Sequence, residues 1–212
     1  MKIFSGSSNV SLAEKIAFAL NLKLSPREIF VFPDQERRVQ LQDPVVDEDV
    51  VLVQSTATPA DQNYMELFFL ADAATRSGAR SITVVMPYMG YQRQDHVFRD
   101  GEAVSLEVVI HMLESLRVDR VIALDLHTIK IPEFFHIPLS HLSALPLFAE
   151  VIKQNNWDDE DAFLVTPDMG GIRRIKIISE LLGNMSYVTI QKDRGVAHRS
   201  VSQRISFCFS AG

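Results

Sequence analysis

Residues 82–95 read ITVVMPYMGYQRQD, an apolar β-branched run that stops at Pro87 and opens into a polar, glycine-containing loop. The run is apolar on both faces, as strands are when helices cover both sides of a parallel sheet. In open parallel sheets, ligands bind beyond the carboxyl ends of the strands. One stretch therefore supplies a core strand and, directly after it, the place to look for function.

The same grammar recurs outward in both directions. Strand-like runs fall at 2–4, 28–32, 50–54, 121–126, 162–166 and 187–190. Segments of helical period lie between them, at 11–20, 62–76, 104–116, 143–154 and 172–182. Leu67, Phe68, Ala71 and Ala74 recur on one helix face, and that helix stops near Gly78. Alternating strands and helices with doubly apolar strands predict an α/β fold of doubly wound parallel sheets. The proline- and histidine-bearing run at 136–148 closes one unit, and a second αβα pattern begins near residue 143. The spacing thus predicts domains at 1–142 and 143–212, the second with two strands and two helices.

Composition narrows the function. The chain has 212 residues, 47% of them apolar, which is ample for a buried core. No uncharged run approaches the roughly 20 apolar residues of a membrane span, so no membrane association is expected. A net charge of -6 gives no overall footprint for nucleic acid, so an anionic ligand must be met by a local group of cations. The single cysteine, Cys208, cannot pair internally, and no apolar leader follows Met1; a reducing, cytoplasmic setting is expected.

The usual phosphate-loop, dinucleotide, zincin and hydrolase motifs are missing. Four strand ends carry polar residues instead. FPDQE holds Asp34 and Glu36, which alone read as a solvated turn. YMGYQRQDHVFRDGEAVS places Arg93, Gln94, Asp95, His96 and Arg99 on a loop of roughly a dozen residues, longer than most connections. RVIALDL ends at His127, in isolation more often a structural histidine than a ligand. AFLVT leads to PDMGG, where Asp168 is either a ligand or the N-cap of the following turn. An imidazole, a carboxylate and a cation-bearing loop at one sheet edge suit magnesium and a phosphorylated nucleotide. His136 and His111 have no comparable setting and read as structural, and His141 stays open between the two.

The motifs FSGSSN, FPDQE, VQST, MPYMGYQRQD, GEAVS, DLHTIKIPEFF, TPDMGG and QKDRG occur in the order and at about the spacing of the ribose-phosphate pyrophosphokinases, and over residues 1–195 the chain resembles that family. The resemblance implies two phosphoribosyltransferase-like domains. It also implies transfer of the diphosphoryl group of ATP to ribose 5-phosphate, giving phosphoribosyl pyrophosphate and AMP, with Mg2+ required and a homo-oligomer as the working form. Carried over by motif, Phe32, Asp34 and Glu36 belong to an adenine-recognising loop that commonly serves a neighbouring subunit. Arg93, Gln94 and Asp95 bind ATP, His127 and Asp168 position the metal, and Lys192 and Arg194 form a catalytic loop. In that loop the two cations face the charge that builds on the transferred phosphoryl oxygens.

Two departures stand out. Gln35 replaces the glycine of the family's FxDGE loop, a strained substitution if the position needs positive φ. After QKDRG no acidic Thr-Gly-Gly-Thr loop follows, so the expectation is a second domain that is incomplete and an activity impaired by truncation. The alternative function is a non-catalytic regulatory or associated subunit of such a synthase. A phosphoribosyltransferase is disfavoured, because its own sugar-phosphate loop is the missing part.

Overall fold

The computed structural model describes residues 1–159, 161–192 and 205–210. They form two compact units, Met1–Leu142 and Ser143–Gly212. The first runs β1 (Lys2–Ser5), α1 (Val10–Ala19), β2 (Arg27–Val31), β3 (Arg37–Leu41), β4 (Asp49–Val53), α2 (Ala60–Arg76), β5 (Ser81–Met86), α3 (Ser105–Ser115), β6 (Arg120–Leu124), a 3-10 turn at Ile131–Phe134, and β7 (Leu139–Leu142).

Five strands make one parallel sheet in the order β1-β4-β5-β6-β7. Successive side chains leave opposite faces of a strand, and the sequence uses both. Phe4, Leu52, Val84 and Ala123 pack in one core with Leu67, Phe68 and Ala71 of α2 and Leu106, Ile110 and Leu113 of α3. Their neighbours Ile3, Val53 and Val85 join Ala13 and Ala17 of α1 in a second core. Helices thus cover both faces of a parallel sheet, as the doubly apolar strands predict. The helix α2 ends at Ser77, and Gly78 at φ 80 carries the chain out of it, the left-handed exit that glycine takes without strain.

The run at 28–32 is a strand, but not of this sheet. It is β2, which pairs antiparallel with β3 as a separate hairpin. Val39 and Leu41 of β3 pack against the α2 side of the core, while Phe30 and Val31 are exposed. The four-residue β7 also went unread, because LSHL is short and half polar.

The second unit holds α4 (Leu145–Gln154), β8 (Leu164–Thr166), a 3-10 turn at Met169–Gly171, α5 (Ile172–Leu181), β9 (Tyr187–Lys192) and β10 (Ile205–Ser210). Its sheet order is β10-β9-β8, with β8 and β9 parallel and β9 and β10 antiparallel. Among the described residues this unit has three strands where the spacing predicted two. Among the described residues, no helix is long and apolar enough to cross a membrane.

Candidate functional site

The strands β5 and β6 are neighbours in register, Met86 opposite Ala123, so the loops that follow them leave the same edge of the sheet. The β5 loop is pinned at its start. Gly90 N–H donates to Thr56 Oγ1 at 2.7 Å, and Gly90 C=O accepts from Tyr64 Oη at 2.9 Å. Thr56, just past β4, in turn donates through both N–H and Oγ1 to Tyr88 C=O, each at 2.9 Å. Tyr91 then takes φ 60, and its C=O accepts from Gln94 N–H at 2.8 Å, which folds the loop back on itself.

Two hydrogen bonds join this loop to the β6 loop. His127 N–H donates to the buried Gln92 Oε1 at 2.7 Å, and Thr128 Oγ1 donates to Asp95 Oδ2 at 3.3 Å. Asp95 also accepts from His96 Nδ1 at 2.6 Å, and its side chain is only 12% exposed. Burial alone would raise the Asp95 carboxyl pKa; the hydrogen bonds from His96, its own N–H and Thr128 outweigh that and hold it below the ordinary range. Asp95 is therefore an anion at neutral pH. With His96, Lys130, Glu133 and Phe134 it borders a hollow of about 580 Å³.

Arg93 and Gln94 lie exposed on the same loop, directly before Asp95. The His127 imidazole is also exposed, and among the described residues nothing engages it. Its backbone is fixed by Gln92 while its ring is left exposed. His141 differs: its Nε2 accepts from Leu126 N–H at 3.1 Å, a structural task that anchors the β6 end.

Phe32, Asp34 and Glu36 sit at the hairpin tip. Gln35 N–H donates to Phe32 C=O at 2.9 Å, and Phe32 N–H to Glu36 C=O at 2.8 Å. Asp34 Oδ1 accepts from Glu36 N–H at 3.1 Å. Gln35 takes φ 73, the left-handed conformation that its glycine-like position calls for. Gln35 and Glu36 line a second hollow, with Arg37, Asp61 and Gln62, rather than the one at Asp95.

Sequence reasoning named FSGSSN and VQST without giving them a task. The structure supplies one. Glu66 of α2, 1% exposed, accepts from Ser7 N–H at 2.5 Å, Ser7 Oγ at 2.9 Å and Gln54 Nε2 at 3.0 Å. Gln54 Oε1 in turn accepts from Ser8 Oγ at 2.7 Å. Arg37 Nε faces Glu66 Oε2 at 3.6 Å, buried and without a hydrogen-bond partner among the described residues. One carboxylate thus orders the loop after β1 and ties the β2–β3 hairpin to α2. Gln92, Thr128 and Lys130 were missed as well; their signal is proximity to Asp95 and His127 in sequence.

In the second unit, Asp168 caps the 3-10 turn, its Oδ1 accepting from Gly171 N–H at 3.2 Å, and it is exposed. The capping hydrogen bond is thus made, and Oδ1 is the oxygen it uses. A Cβ on Gly171 would lie 2.0 Å from Thr166 Oγ1, so any larger residue at this turn would displace the buried Thr166 side chain. Lys192 is the last residue of β9, and Arg194 lies outside the described residues.

Residues 1–116 match the N-terminal domain of ribose phosphate pyrophosphokinase. The chain is similar to the ribose-phosphate pyrophosphokinase of Fusobacterium nucleatum, 41% identical over 182 residues, which is 86% of this chain and 58% of that protein. It is 41% identical over 184 residues to the ribose-phosphate pyrophosphokinase of Thermotoga maritima, with the same coverage of 86% and 58%. Its fold is similar to the crystal structure of phosphoribosylpyrophosphate synthetase from Mycobacterium smegmatis, with a TM-score of 0.88 and 30% identity over 97% of this chain and 66% of that one. The chain thus spans under two thirds of the length of these relatives.

Proposed function

Because the chain belongs to the ribose-phosphate pyrophosphokinase family, we propose that it takes part in transferring the diphosphoryl group of ATP to ribose 5-phosphate, yielding phosphoribosyl pyrophosphate and AMP. The anomeric hydroxyl attacks the β-phosphorus, the bond from that phosphorus to the bridging oxygen of the α-phosphate breaks, AMP leaves, and the hydroxyl proton passes to solvent. The observation that carries this reading is the pair of hydrogen bonds, Gln92 to His127 and Thr128 to Asp95, that locks the β5 and β6 loops together beside an acid-, imidazole- and lysine-lined hollow.

In this reading Arg93 and Gln94 grip the ATP phosphates from the exposed rim of that loop, with Asp95 between them and the hollow. Phe32, Asp34 and Glu36 present the adenine-recognising tip. That tip stands on a hairpin separate from the main sheet, with Phe30 and Phe32 exposed, which favours its use by a neighbouring subunit and hence a homo-oligomer. Lys192 and Arg194 supply cations to the transferred group.

His127 and Asp168 would hold magnesium, which when bound neutralises phosphate charge. The Asp168 oxygen outside the capping hydrogen bond suits a hard cation that keeps several waters, and His127 is assigned by its motif alone. The single Cys208 supports the reducing cytoplasm as the setting.

A second reading, a non-catalytic subunit associated with an active synthase, draws support from Gln35, whose left-handed backbone strains the adenine tip. Assaying AMP release with ATP, magnesium and ribose 5-phosphate separates the two. Release that requires ribose 5-phosphate is expected. No release from the chain alone, with altered kinetics of a full-length synthase on mixing, would favour the associated subunit.

A further inference from the structure

We infer that His111, Glu114 and His136 form a binding site for a divalent transition-metal cation of the zinc class. One ligating atom from each of the three side chains lies within 4.8 Å of the other two. The site is independent of the proposed nucleotide chemistry. The helix α3 runs from the carboxyl edge of β5 back to the amino edge of β6, and His136 precedes the amino end of β7. The cluster therefore sits at the sheet edge opposite Asp95 and His127.

The fold builds this cluster from two directions. On α3 the apolar positions Leu106, Val109, Ile110 and Leu113 are buried. His111 and Glu114, three residues apart, are neighbours on the helix surface. After β6 the chain passes through the 3-10 turn at Ile131–Phe134 and sets His136 against Glu114 of α3. Its N–H donates to Glu114 Oε1 at 2.7 Å, and its Nδ1 lies 3.1 Å from Glu114 Oε2. The two imidazole rings stack with centroids 6.0 Å apart and 28° between planes.

Several features mark this as more than a surface pair. The carboxylate is only 16% exposed and is oriented by a backbone N–H, so it is placed before any cation arrives. Metal-binding carboxylates and imidazoles are commonly held by such outer hydrogen bonds and carboxylates. Glu107 Oε1, one helical turn earlier, lies 4.0 Å from His111 Nε2 and offers a second carboxylate beside that ring. The imidazoles are the adjustable members, 53% exposed for His111 and 77% for His136. Metal–ligand bonds of about 2.0–2.1 Å put tetrahedral donor atoms roughly 3.3 Å apart. Closing from 4.8 Å therefore asks for small rotations of two exposed side chains and no movement of the backbone.

The donor set names the cation. Two imidazoles and one carboxylate, with water completing the shell, suit zinc and its neighbours in the first transition row and not magnesium or calcium, which prefer all-oxygen sites. A bound ion would clamp the last turn of α3 to the segment entering β7.

The test is calorimetric titration of the metal-stripped 212-residue chain with zinc chloride in excess magnesium. One zinc equivalent is expected to bind, at least tenfold more weakly in His111→Ala and in His136→Ala. His127→Ala is expected to keep it, since that side chain lies at the opposite edge. Cobalt(II) should give an intense visible band that both His111→Ala and His136→Ala abolish. Both substitutions are at exposed side chains, and unchanged metal-free melting would show that they fold. Zinc binding unaltered in both variants, or no zinc retained against magnesium by the original chain, would overturn the site.

Discussion

Gly90→Ala is the sharpest packing test of the framework under the proposed nucleotide site. A Cβ at this position would lie 2.6 Å from Thr56 C=O and 3.0 Å from Tyr64 Cε2, with Ala60 Cβ at 3.5 Å. The first contact is with backbone and has no flexible end to swing away. Relief requires Gly90 to move outward, against its hydrogen bonds to Thr56 Oγ1 and from Tyr64 Oη. Overpacking costs about 1–3 kcal/mol and each lost hydrogen bond about 1 kcal/mol. Tyr64 adds to this, since it is buried, its burial pushes the hydroxyl pKa up, and a lost acceptor would strand that hydroxyl. With one of the two hydrogen bonds lost, the expected total is about 2–4 kcal/mol in urea-induced unfolding, together with weaker magnesium-ATP binding, because Arg93, Gln94 and Asp95 follow on the displaced loop. Gly101→Ala is the control. Its φ is +87 with nothing within 4 Å of the added atom, so only backbone strain of about 1 kcal/mol is at stake. A Gly90→Ala variant no less stable than Gly101→Ala, with ordinary nucleotide binding, would refute the reasoning.

Further expectations follow from the same contacts. Glu66→Ala should cost about 3–5 kcal/mol in urea unfolding, because it leaves a largely buried Arg37 without its counter-charge and takes an acceptor from Gln54 and Ser7; a loss below about 1 kcal/mol would deny the carboxylate its organising role. Gln35→Asn should raise stability by about 0.5–1 kcal/mol, since asparagine tolerates the left-handed region better; a loss of stability would mean that the tip is not strained at φ 73. Asp49 is held at about 2, below the model-peptide value of 3.8, chiefly by hydrogen bonds from Arg80 and then Ser81. Because the folded value is the lower one, its stabilisation is present above pH 4 and fades as pH falls toward 2. Melting temperature against pH should therefore drop less steeply across that window in Asp49→Asn, and parallel curves would contradict it.

The parallel core was legible because its signal is local. The runs at 50–54, 82–86 and 121–126 needed only their own residues to read as buried strands, and they fall on β4, β5 and β6. The hairpin partner β3 hid because RRVQL carries its apolar residues on one face alone, and β10, ISFCFS, hid behind an unfamiliar ending. Asp95 and His127 were named as candidates from their places after strands, and both lie on the loops that leave β5 and β6. Gln92 and Thr128 were not, because their roles exist only once β5 and β6 lie side by side. The same limit applied to His111 and His136, which read as structural one at a time. Only the return of the chain after β6 sets them against one carboxylate.

The strain inferred at Gln35 depended on a condition that the sequence could not check, whether the backbone there is left-handed. At φ 73 it is. The glutamine in FPDQE thus sits in backbone that favours glycine, and the departure is physical and not only a change of letter.

Magnesium-ATP binding by His127→Ala tests the account most directly. His127 is exposed, and its structural hydrogen bond to Gln92 runs through the backbone N–H, which alanine retains. The substitution should leave melting unchanged while weakening calorimetric magnesium-ATP affinity at least tenfold, equivalent to about 1.4 kcal/mol. Nucleotide affinity equal to that of the unsubstituted chain would contradict the assignment of this sheet edge as the nucleotide site.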